Sequence, residues 1–437
     1  MRSYPISRRD FVPLALLVLL ALPFPARADA PLAREEAPLL DLDTCRRIAL
    51  ERQPALAAYR ASLAAAEAKV KALDSLRVPV FLRPDLPIRR KQACIGLSVA
   101  QAMYIQQEWE TVYAVNRTYL TVLYAQEQTK VARDLLQILQ NLKDTTEGLA
   151  GKKESNVTVL QYQRVLALLE VAAGRQQEAA GGVERAKAAL REAMGVDPDF
   201  PLTLPAGQLR ADPPALTREQ VIALAVERRP ELVQASGAAE AAALEVKAQG
   251  KSFRPTAQTF ASGADIHAQP VVQGLRDGDY RPGAVGLDMP VQLSGSRCYR
   301  VDQAQALGGR ADAVLEKARG LIALDAADVY FRYLDWSTRA PRLRQAAKLA
   351  EERSNDVRGR FDPRAEKPRA TLDEVLDAST LATQLRLDRN EAEFHYLVIL
   401  ADLERVTAGG FCPNYLPPAN GNAGSGATGA APPAMLP

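Results

Sequence analysis

The sequence predicts a mainly α protein of long antiparallel helical hairpins, arranged as a duplicated, tube-forming bundle with a small β-strand region. Three observations carry this expectation. A helix-start motif occurs twice, two helical patterns run far beyond globular length, and one segment alternates strictly between apolar and polar residues.

Residues 1–28 read as an export signal. They hold Arg8 and Arg9, an apolar run from Phe11 to Phe24 and the small-residue pattern Ala26-Arg27-Ala28 of a signal-peptidase site. The run is shorter than the ~20 residues a membrane-spanning helix needs. Ser7-Arg8-Arg9-Asp10-Phe11 also resembles a twin-arginine signal, so the general secretory and twin-arginine routes both stay open.

Residues 29–210 form the first expected repeat and 211–410 the second. Ala49-Leu50-Glu51-Arg52-Gln53-Pro54-Ala55-Leu56 returns, 176 residues later, as Ala225-Val226-Glu227-Arg228-Arg229-Pro230-Glu231-Leu232. The register persists to Val70-Lys71-Ala72 and Val246-Lys247-Ala248. In each copy a short helix runs into a proline that suits the first turn of the next helix. A long helix follows. From about Gly96 to Glu147 no proline interrupts the pattern, and Val112, Val115, Tyr119 and Val122, then Val131, Leu135, Ile138 and Leu142, step by three and four like a coiled-coil seam. Such a helix would be about 75 Å long. It turns at 148–156 and returns through Val159, Tyr162, Leu166 and Leu169 to Gly195. The second copy goes out from Val301 to about Arg360 and back from Thr371 to about Val406.

The segments between medium and long helix differ. At 253–293, Val285, Leu287, Met289, Val291 and Leu293 alternate after the Asp277-Gly278-Asp279 turn, which predicts a β-hairpin with two unlike faces; such a hairpin fits either a membrane or a soluble cap. The first copy has only a shortened strand region, about fourteen residues less, with Pro79, Pro84, Pro87 and Arg89-Arg90-Lys91. Proline cannot donate to a sheet ladder and cations facing lipid are costly, so two full spanning strands are not expected there. Residues 411–437 form a Pro/Gly/Ala-rich tail expected to be disordered.

Composition narrows the function. Lys plus Arg is 55 and Asp plus Glu is 52, and the excess sits in residues 1–28, so the remaining chain is near neutral and has no basic character for nucleic acid. His267 and His395, with Cys45, Cys94, Cys298 and Cys412, are too scattered to predict a metal site; the cysteines fit free thiols or disulfides. No Ser/His/Asp set or phosphate loop is legible, so neither an enzyme nor a cofactor is expected.

Taken in order, the duplicated Ala-Leu/Val-Glu-Arg-x-Pro-x-Leu starts, the Val-Lys-Ala ends leading to Phe253-Arg254-Pro255, Gly286-Leu287-Asp288-Met289-Pro290-Val291 and Glu374-Val375-Leu376-Asp377-Ala378 resemble the TolC family of outer-membrane channel proteins over nearly all of the chain after residue 28. The resemblance implies a homotrimer whose strands pool into one barrel in the outer membrane and whose helices form a periplasmic tube. It implies a passive exit duct of a tripartite efflux or type I secretion system, docked through a periplasmic adaptor onto an inner-membrane pump or secretion ATPase. Glu374 and Asp377 match positions of acidic rings at the pore entrance, and Arg369 is the nearest candidate for a gate cation. Thr371 and Glu374 also fit a capping box, and both roles can hold together. A periplasmic helical scaffold or adaptor-like protein without a full barrel is the alternative.

Overall fold

The structure is a computed structural model that describes residues 39–152, 155–253, 292–365 and 369–416. Leu42–Arg52 (α1) and Arg218–Arg228 (α5) occupy equivalent places in the two sequence copies, as do Pro54–Ser75 (α2) and Pro230–Lys251 (α6). Local chemistry sets these bounds. The Asp41 carboxylate accepts from the Thr44 amide at 2.9 Å, and Thr217 with Gln220 forms a reciprocal capping box. Gln53 and Arg229 then adopt extended backbone, which the following proline favours, and Pro54 and Pro230 open the next helix.

Each half continues into a long hairpin. Leu86–Thr146 (α3, 61 residues) returns as Val159–Met194 (α4, 36 residues). Arg297–Arg360 (α7, 64 residues) returns as Leu372–Val406 (α8, 35 residues). At 1.5 Å per residue α3 and α7 are about 90 and about 96 Å long. The return helices cover little more than half of that. The remainder is covered by α2 on α3 and by α6, which packs on both α3 and α7.

The core is a series of apolar layers along this bundle. Near the middle, Val115, Tyr119, Val122 and Leu123 of α3 meet Cys45 and Ala49 of α1, Leu190 and Met194 of α4, and Leu397 of α8. Ala235, Ala238 and Ala242 of α6 face Ala311, Val314 and Ala318 of α7, small residues that let the helices approach closely. Arg210–Ala211 (β1) pairs antiparallel with Tyr415–Leu416 (β2). The boundary placed at 210/211 therefore falls within a strand.

Three expectations need correction. The first repeat has no strand between α2 and α3: only 76–85 connects them, and α3 begins ten residues before Gly96. The cations that suit lipid so poorly find helical partners instead. Arg89 is buried in an ion pair with Glu245, and Arg90 donates to the carbonyls of Leu73 (3.0 Å), Asp74 (3.3 Å) and Leu76 (2.9 Å), closing the α2 C-terminus. Gly96 lies inside α3, and the connection 76–85 is shorter than 252–296 by much more than fourteen residues. The tail also starts later than 411. Phe411 packs against the α5/α7/α8 layer and Tyr415 against the central one. The expected hairpin at 253–293 lies outside the described residues except at its ends, as do 1–38 and 417–437.

Within α4 the seam is rotated from the expected one. Val165 is fully buried and Leu166 half-buried, while Val159 is 52% exposed, because α4 turns Val165 toward Leu372, Val375 and Leu376 of α8.

Candidate functional site

The expected site residues lie at the hairpin tips, where 147–158 joins α3 to α4 and 361–371 joins α7 to α8. Both return helices open with the same device, a threonine at the cap and an amide or carboxylate side chain three residues on: Thr158 with Gln161, and Thr371 with Glu374. The two tips are tied together. The Asn156 amide donates to the Pro363 carbonyl at 3.2 Å, and its side chain donates to the carbonyls of Asp362 (3.0 Å) and Ala365 (3.1 Å). Beneath, Leu142, Val157 and Val165 pack on Leu372, Val375 and Leu376, so α8 begins on a fixed apolar floor.

That floor orients the acidic turn outward. Glu374 is exposed and its carboxylate accepts from the Thr371 amide at 2.9 Å, so the capping box is formed. Asp377 is 69% exposed on its side chain and lies one turn beyond Asp373. Arg164 of α4 bridges the two, donating to Asp373 and to Asp377 at 2.8 Å each, and Gln161 donates to Asp373 at 2.7 Å. Arg369 is exposed and makes no ion pair among the described residues.

Arg164 was not singled out by sequence reasoning. A signal for it exists. Arg164 stands six residues after Thr158, and Asp377 stands six residues after Thr371, so equivalent positions of the two repeats carry opposite charges. A carboxylate at one and a guanidinium at the other give a bond between the return helices at the tip.

Toward the middle of the bundle, α8 ends in buried charges. Arg405 pairs with Asp402 at 2.7 Å and approaches Asp325 at 3.6 Å and Glu110 at 3.7 Å, while Arg229 pairs with Asp325 at 2.6 Å and Glu231 at 2.7 Å. Burial pushes the Glu110 carboxyl up from its ordinary range, against the pull of Arg405. Glu404 is pushed up by burial too, although Arg46 (3.0 Å) and Asn116 (3.1 Å) hold it.

At the opposite end from the tips a second buried polar chain runs across three helices. Arg89 of α3 pairs with Glu245 of α6; Gln249 donates to Glu245 at 2.6 Å and accepts from Arg300 of α7 at 2.9 Å. Arg300 also donates to the Ser252 carbonyl (3.0 Å) and the Gly295 carbonyl (2.8 Å), the two bases of the 254–291 segment. Burial raises the Glu245 carboxyl, but its bonds to Arg89, Gln92 and Gln249 win and hold it below the ordinary range.

Two short-plus-long helical units with tied tips define a class of protein: the chain has the fold of the outer-membrane channels, the one implied by the resemblance to the TolC family. A membrane protein from Pseudomonas aeruginosa matches at a TM-score of 0.65 and 18% identity, over 88% of this chain and 99% of that one. The outer membrane protein VceC from Vibrio cholerae matches at 0.65 and 16%, over 85% and 96%. The open state of the MtrE outer membrane channel of Neisseria gonorrhoeae matches at 0.65 and 18%, over 84% and 89%. No protein-family model and no curated protein matches the sequence.

Proposed function

We propose that the protein is a passive exit duct in the outer membrane, a homotrimer with its helical part in the periplasm, receiving substrate from an inner-membrane pump or secretion ATPase through a periplasmic adaptor. The observation that carries this reading is the duplicated long-hairpin fold shared with outer-membrane channels over most of both chains. In this reading residues 1–28 direct export, 29–210 and 211–410 are the two repeats, and the hairpin expected at 253–293 supplies the strands. Glu374 and Asp377, three residues apart on one face of α8, stand at the periplasmic entrance, where three copies form an acidic ring that favours cations. Arg164 neutralises part of that ring while the tips stay tied, and Arg369, exposed beside the cap of α8, acts between copies.

A second reading, a periplasmic scaffold without a full barrel, is favoured by one observation: no strand forms between α2 and α3. Carbonate washing and detergent extraction of membranes, followed by size analysis, separate the two. A trimer that needs detergent is expected. Release by carbonate as a soluble species would sink the duct and leave the scaffold.

A further inference from the structure

The connection 76–85 carries three adjacent apolar side chains in the open: Val80, Phe81 and Leu82 are 61, 78 and 62% exposed. Its shape is held, since the amides of Leu82 and Arg83 donate to the Pro79 carbonyl at 2.9 and 3.3 Å and the Leu86 amide donates to the Arg83 carbonyl at 3.1 Å. Contiguous exposed apolar groups on a held turn mark a contact surface.

Two observations say what covers it. The first is position. Helices α3 and α6 run antiparallel, with Gln106 meeting Gln234, Gln92 meeting Ala241 and Arg89 meeting Glu245. In this register Leu86, the first residue of α3, comes level with Ala248, so the turn before it lies at the end of the bundle where α6 stops at Lys251 and the described chain reaches Phe253. Phe253 is itself 78% exposed. The second is charge. Arg77 and Arg83 are exposed around the tip and Arg90 is half-exposed, while Lys91 is exposed further along α3. Opposing them are Asp74, which faces Arg90 at 3.6 Å, and Asp85, which is buried and shared between Arg89 at 3.6 Å and Arg83 at 3.7 Å, so Arg77 stands without a carboxylate beside it among the described residues. An apolar tip rimmed by cations is the composition of a segment seated at an anionic bilayer interface, its apolar groups below the headgroups and its cations at the phosphates.

We propose that Val80-Phe81-Leu82 is an interfacial wedge that seats in the headgroup–acyl boundary of an anionic phospholipid leaflet, with Arg77 and Arg83 at the phosphates, in place of the strands that the first repeat lacks. It rests on the outer-membrane reading above. The wedge needs no backbone to cross the membrane, so the short connection suffices.

The test is a nitroxide at Phe81→Cys in a chain carrying Cys94→Ser, Cys298→Ser and Cys412→Ser, reconstituted in bilayers of phosphatidylethanolamine and phosphatidylglycerol. Matched labels are placed at Lys91→Cys and, in the expected strand region, at Val271→Cys. Collision rates with oxygen and with a nickel chelate are read at each site. The wedge predicts severalfold fewer nickel collisions at 81 than at 91, with oxygen collisions raised. If 81 is as open to nickel as 91 while 271 reports lipid, the wedge is wrong and the duct survives. Water exposure at both 81 and 271 overturns both readings. A label at 81 shielded from oxygen and nickel alike would mean that a second copy covers the tip, which also overturns the wedge.

Discussion

Arg89 shows how one side chain decides between two local structures. Its charge makes it unfit for a lipid-facing strand, yet in α3 it is buried opposite Glu245 with Gln92 and Gln249 completing the set. Breaking a buried pair leaves an uncompensated charge, so Arg89→Ala is expected to cost about 3–5 kcal/mol, and the double replacement Arg89→Met with Glu245→Leu much less. Thermal unfolding of the extracted protein checks both. The same pair sets an acid limit. Glu245 has a lowered pKa in the folded chain, so its contribution is present above the unfolded value of roughly 4.3 and is lost as pH falls through the folded one. Wild type should therefore exceed Glu245→Gln in melting temperature at neutral pH, and the gap should close in acid; a gap that widens in acid would reverse the sign. At the tips the pairs are exposed, and screening leaves them worth ~1 kcal/mol or less. Arg164→Ala is accordingly expected to barely change stability but to raise cation selectivity in a planar bilayer, whereas Glu374→Ala with Asp377→Ala lowers it. Unchanged selectivity in both variants would remove these residues from the pore.

At the scale of elements, helix ends were legible where local chemistry writes them. Pro54 and Pro230, the capping box at Thr371 and Gly195 at the end of α4 are all readable in a short window. Gly195 illustrates the physical constraint. Its φ of 65° favours glycine, and a Cβ there would lie 2.7 Å from the Gln53 Cα, at the junction of α1 and α2. Gly195→Ala should cost more than the ~1 kcal/mol of an unfavourable φ alone, because backbone must also move; a melting temperature within error of wild type would contradict this. The start of α3 was not legible, since its first turns are held by Glu245, 156 residues away in sequence. Arg164 escaped for the same reason, its partners lying 209 and 213 residues on. Periodicity reports which face is apolar but not which distant charge will meet it.

For the whole molecule, duplication organises a chain that is asymmetric at one end only. The tips match in construction, cap for cap. At the other end α2 and α3 are joined by 76–85 alone, whereas α6 stops at Lys251 and α7 begins only at Arg297. Both fit the same helical frame. The frame's layers of small and branched residues, rather than any single domain core, account for the tolerance of low sequence identity to the solved channels.

Arg300 gives that asymmetry a further meaning. By grasping the carbonyls of Ser252 and Gly295 with one guanidinium, it brings both ends of the intervening chain within the reach of a single side chain. Whatever is inserted there is a cartridge in a socket that is already closed, and loop-closure entropy grows only slowly with the length of the insert. Replacing 254–291 with a short Gly/Ser turn should therefore leave the helical frame intact, with circular dichroism unchanged per helical residue. A chassis of this kind can exchange its insert in one genetic step without rebuilding the machine beneath it.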